Sequence, residues 1–302
     1  MSASHESRFI ANDKRRQPSK TAKQRVADAF DADVLKHLCT TWDFSAYATK
    51  VSLPPTASGR ERFYWHQDNG SNILAIAHLD TVQSDMTCQV TSTASGLLAT
   101  SGALDDRLGV YVILDLLPKL GITCDVLLTT DEEIAQSTAE WFETDKDYNW
   151  MIQFDRGGTD VVMYQYETPA LCDLVEASGA RVGVGSFSDI CMLDHLGCAG
   201  FNWGVGYEDY HSARSHAWLD DTFRMVARFV KFHQANATTP MPTFTELDDM
   251  GRTPKDGVWV ADCGHAIDLD DDASYVGIDG SSYIMCAECG TIPLLDEEDP
   301  FA

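Results

Sequence analysis

Basic residues are scarce in this 302-residue chain: 22 Lys and Arg stand against 47 Asp and Glu, a formal net charge of -25. Binding along a nucleic-acid backbone needs clustered cations, so a generic nucleic-acid surface is excluded. No stretch approaches the roughly 18 consecutive apolar residues of a membrane span. The opening segment, MSASHESRFIANDKRRQPSK, lacks the apolar core of a secretory signal, so a cytoplasmic protein is expected. The nine cysteines form no dense framework. Reduced thiols and metal ligation are therefore expected rather than disulfide bridges.

What the chain does have is length enough for one large α/β domain with a small appendage. Residues 1–22 read as a flexible basic arm carrying Lys14, Arg15, Arg16 and Lys20. From Thr21 onward, Val26, Phe30, Val34, Leu35 and Leu38 recur at helical spacing and predict one helix. Four short apolar segments follow, NILAIAH, CDVLLTT, MIQFD and CAGFNWGVG, with helices predicted over 106–117 and 133–143. That alternation is the pattern of an α/β sheet. A last amphipathic helix is predicted in ARSHAWLDDTFRMVARFVKFHQ, where Leu219, Val226, Phe229 and Val230 share a stripe. The expected organisation is a catalytic domain over 23–236, a linker over 237–255 and an acidic module over 256–302. From 241 onward fifteen Asp and Glu oppose one Arg and one Lys.

Chemistry gathers just after the apolar segments. AHLD supplies His78 and Asp80, ALDDRLG supplies Asp105 and Asp106, TDEE supplies Asp131, Glu132 and Glu133, FD supplies Asp155, and YHS supplies His211. Each piece has an ordinary meaning alone: a buried ring for His78, the acidic first turn of a helix for TDEE, an N-cap for LDDRLG. Together, at successive strand ends of an open sheet, they read as a metal site. Imidazole with carboxylate and no cysteine suits Zn first, with Mn, Co or Ni as substitutes. One carboxylate shared between two ions would give a two-metal centre.

In this order the motifs resemble the co-catalytic di-zinc exopeptidase clan, which includes zinc aminopeptidases, carboxypeptidase G-like enzymes and aminoacylases; the resemblance covers roughly residues 60–235. It implies a three-layer α/β sandwich, with a central mixed β-sheet flanked by helices. It further implies that His78 and Asp155 bind one zinc and Glu133 and His211 the other, with Asp105 bridging. Asp80 would orient His78, the Asp105–Asp106 peptide is often cis in such proteins, and Glu132 would be general base and acid. Only 27 positions separate His78 from Asp105 and 56 separate Asp155 from His211. Neither gap holds the inserted domain of the larger relatives, so the compact core is most similar to aminopeptidases.

Substrate contacts are expected from GSFSDICMLDHLG and GFNWGVGYEDY, specifically Ser188, Asp189, Asn202, Tyr207 and Glu208, the last as a partner for a free α-amine. His195 and His216 are read as structural. In the tail, Cys263, His265, Cys286 and Cys289 have the Cys-x-His and Cys-x-x-Cys spacing of a zinc-ribbon-like module, implying one structural zinc. Among so many carboxylates that module suits a lid or protein docking rather than nucleic acid. The expected activity is hydrolysis of an amide bond in a peptide, of aminopeptidase type. Two alternatives stay open: a deacylase acting on a small N-acyl substrate, and a non-catalytic scaffold that keeps zinc for structure.

Overall fold

The computed structural model describes residues 20–243 and, beyond them, only the backbone of four short strands, Trp259–Val260, Ala266–Ile267, Ser274–Ile278 and Ser281–Met285. The first two of these pair antiparallel, as do the last two. The four expected zinc ligands of the tail, Cys263, His265, Cys286 and Cys289, lie outside the described residues, as do residues 1–19 of the basic arm.

The chain opens with helices α1 (Ala22–Ala29) and α2 (Ala32–Thr40). Sequence spacing predicts one helix here, and the break has a local cause. Asp31 is extended, its carboxylate accepts the Asp33 and Val34 amides at 3.1 and 3.2 Å, and so it caps a second helix. Strands β1 (Thr49–Leu53), β2 (Arg62–Gln67), β3 (Ile73–His78), β4 (Gln89–Thr93) and β5 (Gly96–Thr100) lead to helix α3 (Leu104–Tyr111). A π-helical segment, Val112–Leu116, carries α3 into the short α4 (Leu117–Lys119). Then come β6 (Asp125–Thr129), β7 (Trp150–Gln153), β8 (Val161–Val162), α5 (Pro169–Ala177), β9 (Gly200–Trp203), β10 (Tyr207–Glu208), β11 (His216–Trp218) and α6 (Leu219–Asn236).

Seven strands form one mixed sheet in the order β1-β2-β6-β3-β7-β9-β8, in which β6, β3, β7 and β9 run parallel and the flanking strands antiparallel. The four parallel strands are the four apolar segments of the sequence, and all their residues are buried. Continuous apolar runs are what strands covered on both faces require. On one side α6 buries Phe223, Val226, Phe229 and Phe232; Trp150 meets Phe232 with centroids 5.4 Å apart, and Phe201 meets it at 5.0 Å. Each such side chain contributes about 1.5–3 kcal/mol by leaving water. Among the described residues no helix is long and apolar enough to cross a membrane.

Two predicted helices are corrected. The segment 133–143 is two 3-10 turns, Glu132–Ile134 and Thr138–Trp141. Asp131 and Ala135 at φ 72° and 55° bracket the first turn, and the Thr138 amide returns to the Thr130 carbonyl, so the chain folds back before a helix can propagate. The start of the last amphipathic stretch, His216–Trp218, is strand β11, which pairs with β5 in a second antiparallel sheet, β10-β11-β5-β4, that the sequence reading did not anticipate.

Candidate metal centre

β3 lies between β6 and β7, and all three strands end on the same side. His78 is the last residue of β3, Glu132 and Glu133 form the turn after β6, and Asp155 stands two residues beyond β7. Asp105 and Asp106 open α3 with non-helical dihedrals and a cis peptide between them, and His211 sits at φ 58° in the turn joining β10 to β11. Three parallel strand ends and one hairpin turn therefore bring together residues more than a hundred positions apart.

Asp105 is shared. Its Oδ1 lies 3.3 Å from Nε2 of His78, while its Oδ2 lies 3.1 Å from Nε2 of His211. Around His78 the second carboxylate is Asp155, at 3.5 Å; around His211 it is Glu133, at 2.8 Å. Candidate ligand atoms also converge within 4.8 Å in two overlapping groups, His78–Asp106–Asp155 and His78–Asp105–Glu133. Asp106 faces the other way as well: its Oδ2 accepts the His78 amide at 3.3 Å.

These residues fit a bound cation. Nδ1 of His78 lies 3.0 Å from the Asp80 carbonyl oxygen, which can only accept, so Nδ1 carries a hydrogen and Nε2 is the ring atom turned to the carboxylates. That Nε2 is fully buried without a hydrogen-bond partner among the described residues and is faced by Asp105, Asp155 and Glu132. Carboxylates gathered on one ring nitrogen are favourable only around a positive charge, a proton on the ring or a metal ion it ligates. The ring's nearest Asp80 atom is that carbonyl; the carboxylate is 3.7 Å away, and its Oδ2 accepts the Glu133 amide. Asp80 thus ties the first ligand to the turn bearing another.

Without a cation the electrostatics are strained. Burial raises Asp155 to about 7, with the Asp105 charge adding to the shift. Burial also raises Glu132 to about 9, opposed by His78 and reinforced by Asp155. For Asp105 burial acts upward too, but the His211 and His78 imidazoles beside it outweigh it and hold the carboxyl well below the usual range. His78 is disfavoured as a cation by burial, yet Asp155 and Asp105 push it well above its ordinary value. The centre holds protons where a divalent ion would put charge.

No protein-family model matches the chain, and no curated protein matches it in sequence. Solved structures do. A tripeptidase from Staphylococcus aureus aligns with a TM-score of 0.50 at 9% identity, covering 71% of this chain and 98% of that one. This chain has that fold. The aminopeptidase PepT from Bacillus cereus aligns at 0.47 and 10% identity, over 70% of this chain and 97% of that one. A Zn-dependent exopeptidase from Parabacteroides distasonis aligns at 0.42 and 11%, over 71% and 96%.

Several expected substrate contacts lie elsewhere. Ser188, Asp189 and Asn202 are fully buried beneath the centre. Asp189 accepts from Thr129 at 2.8 Å, Ser137 at 2.5 Å and Gln153 at 2.7 Å, and Ser188 donates to Gln153. Asn202 grips the backbone of Asp155, accepting its amide at 3.0 Å and donating to its carbonyl at 2.7 Å. Asn202 thus holds Asp155 directly, while Ser188 and Asp189 reach it only through Gln153, whose Nε2 donates to Oδ2 of Asp155 at 3.3 Å. Glu208 points outward, its nearest ion-pair partner being His216 at 3.8 Å, so it is no anchor for an amine in the cleft. Tyr207 alone of the five faces the cleft, donating to Oδ1 of Asp155 at 2.9 Å. His195 lies 2.8 Å from the Phe142 carbonyl, away from the centre.

Other contributors escaped the sequence reading. Arg107, inside ALDDRLG, is fully buried and donates to the carbonyls of Leu79, Leu38 and Thr41 at 2.9, 3.0 and 2.7 Å, fastening α2 to the residue after His78. Asp131 pairs with Arg60 and Arg62 and so stays out of the centre. Above the ligands opens a cleft of about 640 Å³, whose walls include Arg156, Tyr164, Phe187 and Tyr210. The spacing of Arg156 and Asp160 in DRGGTD was a legible sign of a paired arginine next to a ligand.

Proposed function

We propose that this chain is a di-zinc exopeptidase of aminopeptidase type, acting on peptides. The observation carrying this reading is the division of Asp105, one carboxylate oxygen facing His78 and Asp155 and the other facing His211 and Glu133. His78, Asp155 and Asp105 would hold one ion, and Asp105, Glu133 and His211 the other. Two zinc ions bound there supply a polarised amide carbonyl and a water acidic enough to lose a proton near neutral pH.

Glu132 belongs to neither group. It lines the cleft, 3.8 Å from Nε2 of His78. Its carboxylate takes the proton of the attacking water and returns it to the nitrogen of the leaving amine. Tyr207 and Asn202 keep Asp155 in place from its side-chain and backbone ends. The expected structural zinc at Cys263, His265, Cys286 and Cys289 is retained as a separate proposal.

The test is zinc content by elemental mass spectrometry, with hydrolysis of aminoacyl and N-acyl chromogenic amides. About three zinc ions per chain, falling to about one in His78→Ala/Asp105→Ala together with loss of aminoacyl hydrolysis, is the expected result. Hydrolysis confined to N-acyl amides would make the protein a deacylase, and an unchanged zinc count would remove the reading.

A further inference from the structure

The cleft's own chemistry points to one part of the substrate. Four of its wall residues are acidic, Asp105, Glu132, Glu133 and Asp155, and the proposed reading employs each of them as ligand or base. No carboxylate in this wall is left over for a substrate amine. Arg156 is the wall's only lysine or arginine among the described residues.

Arg156 is built to stay in place with one edge open. Its Nε and Nη2 donate to the two carboxylate oxygens of Asp160 at 2.6 and 3.0 Å, which fixes the guanidinium plane and leaves Nη1 uncommitted among the described residues. Two glycines clear the space around it. A Cβ at Gly183 would stand 2.0 Å from Oδ2 of Asp160 and 3.2 Å from Nη2 of Arg156. One at Gly185 would stand 3.4 Å from Nη1, on the wall of the cleft. Tyr164, Ser186 and Tyr210 line the same cleft. Such a guanidinium recognises a carboxylate.

We infer that Arg156, oriented by Asp160, binds the C-terminal carboxylate of a peptide substrate, so that the enzyme prefers a peptide with a free C-terminus over its amide. This rests on the proposed exopeptidase reading for the identity of the substrate. Arg156 directly follows Asp155 in the chain, and both line the cleft, so the anchor and the proposed metal centre share one wall.

The experiment measures binding apart from turnover. Zinc-loaded Glu132→Gln protein is titrated calorimetrically with Leu-Gly-Gly and with its C-terminal amide, then compared with the Glu132→Gln/Arg156→Gln and Glu132→Gln/Arg156→Lys proteins. The free acid should bind about tenfold or more tightly than the amide, as a charge-assisted hydrogen bond warrants. That ratio should collapse toward one with glutamine and recover in part with lysine, which keeps the charge and the pairing to Asp160. A ratio near one before Arg156 is changed, or a ratio that Arg156→Gln leaves intact while both affinities fall together, would overturn the inference. Hydrolysis by the unsubstituted enzyme is read separately: selective binding of the acid without cleavage of any peptide would refute the exopeptidase reading and leave the carboxylate anchor standing.

Discussion

Replacing Asn202 with alanine separates a positioning role from a substrate contact. The amide side chain holds both main-chain groups of Asp155, at 3.0 and 2.7 Å, and donates to the Tyr164 hydroxyl at 3.0 Å. Alanine leaves the buried amide and carbonyl of residue 155 without those partners, at about 1–3 kcal/mol each. Allowing for relaxation, a loss of about 3 kcal/mol is expected. Urea unfolding of the metal-free protein should then show a midpoint lowered by roughly 1–3 M, given slopes of about 1–3 kcal/mol/M. Asp155 should also lose its aim, weakening zinc by about 10–100-fold, as removal of a ligand's support usually does. A substrate contact would behave differently, raising KM and leaving unfolding and zinc affinity alone. If the midpoint moves by less than about 0.2 M and only KM changes, the positioning argument is wrong.

Glu132→Gln should keep its zinc and lose about 10²–10⁴-fold in kcat, checked by metal analysis beside steady-state kinetics on an aminoacyl amide. Arg107→Met strands the carbonyls of Leu38, Thr41 and Leu79, and even after relief of the buried charge a stability loss of about 2–4 kcal/mol is expected by denaturant titration. Gly109→Ala places a Cβ 2.1 Å from Oδ1 of Asp106 and should lower the thermal midpoint by several degrees, about 1–3 kcal/mol of overpacking, measured by calorimetry. In the metal-free protein Asp155 keeps its proton up to about 7, whereas the unfolded chain loses it near the ordinary value of 3.8. The folded state binds the extra proton across that window, so this group makes stability fall as pH rises from about 4 to about 7. Zinc should remove that slope and release protons on binding, seen by calorimetry in buffers of different ionisation enthalpy.

What the sequence reveals follows from how each feature is encoded. The strands β3, β6, β7 and β9 are legible because both faces are buried, which writes them as unbroken apolar runs ending where the ligands begin. The ligand types are legible because five short motifs occur in one order. The second sheet was not: β4 is mostly exposed, and the polar Gln89–Thr93 has no core face to impose a pattern. The segment after β6 reads as helical by composition, but the Thr138 amide and Thr130 carbonyl close it into a turn, a contact that propensity does not encode.

Side-chain direction was the larger loss, and it decided the substrate assignments. Tyr207 and Glu208 are neighbours on β10, and neighbours on a strand point to opposite faces. Tyr207 therefore enters the cleft and reaches Asp155, while Glu208 stands outside it near His216. The same register removes the carboxylate expected to hold a substrate amine and leaves Arg156, among the described residues, as the cleft wall's one charged side chain beyond the proposed ligands and base. Ser188 and Asp189 fail for a related reason. Thr129, Ser137 and Gln153, from β6, the turn after it and β7, all donate to Asp189, so a carboxylate that reads as a loop residue is drawn beneath the sheet's edge. A buried anion with three donors braces the strand ends that aim the ligands, and chain position alone cannot distinguish bracing from binding.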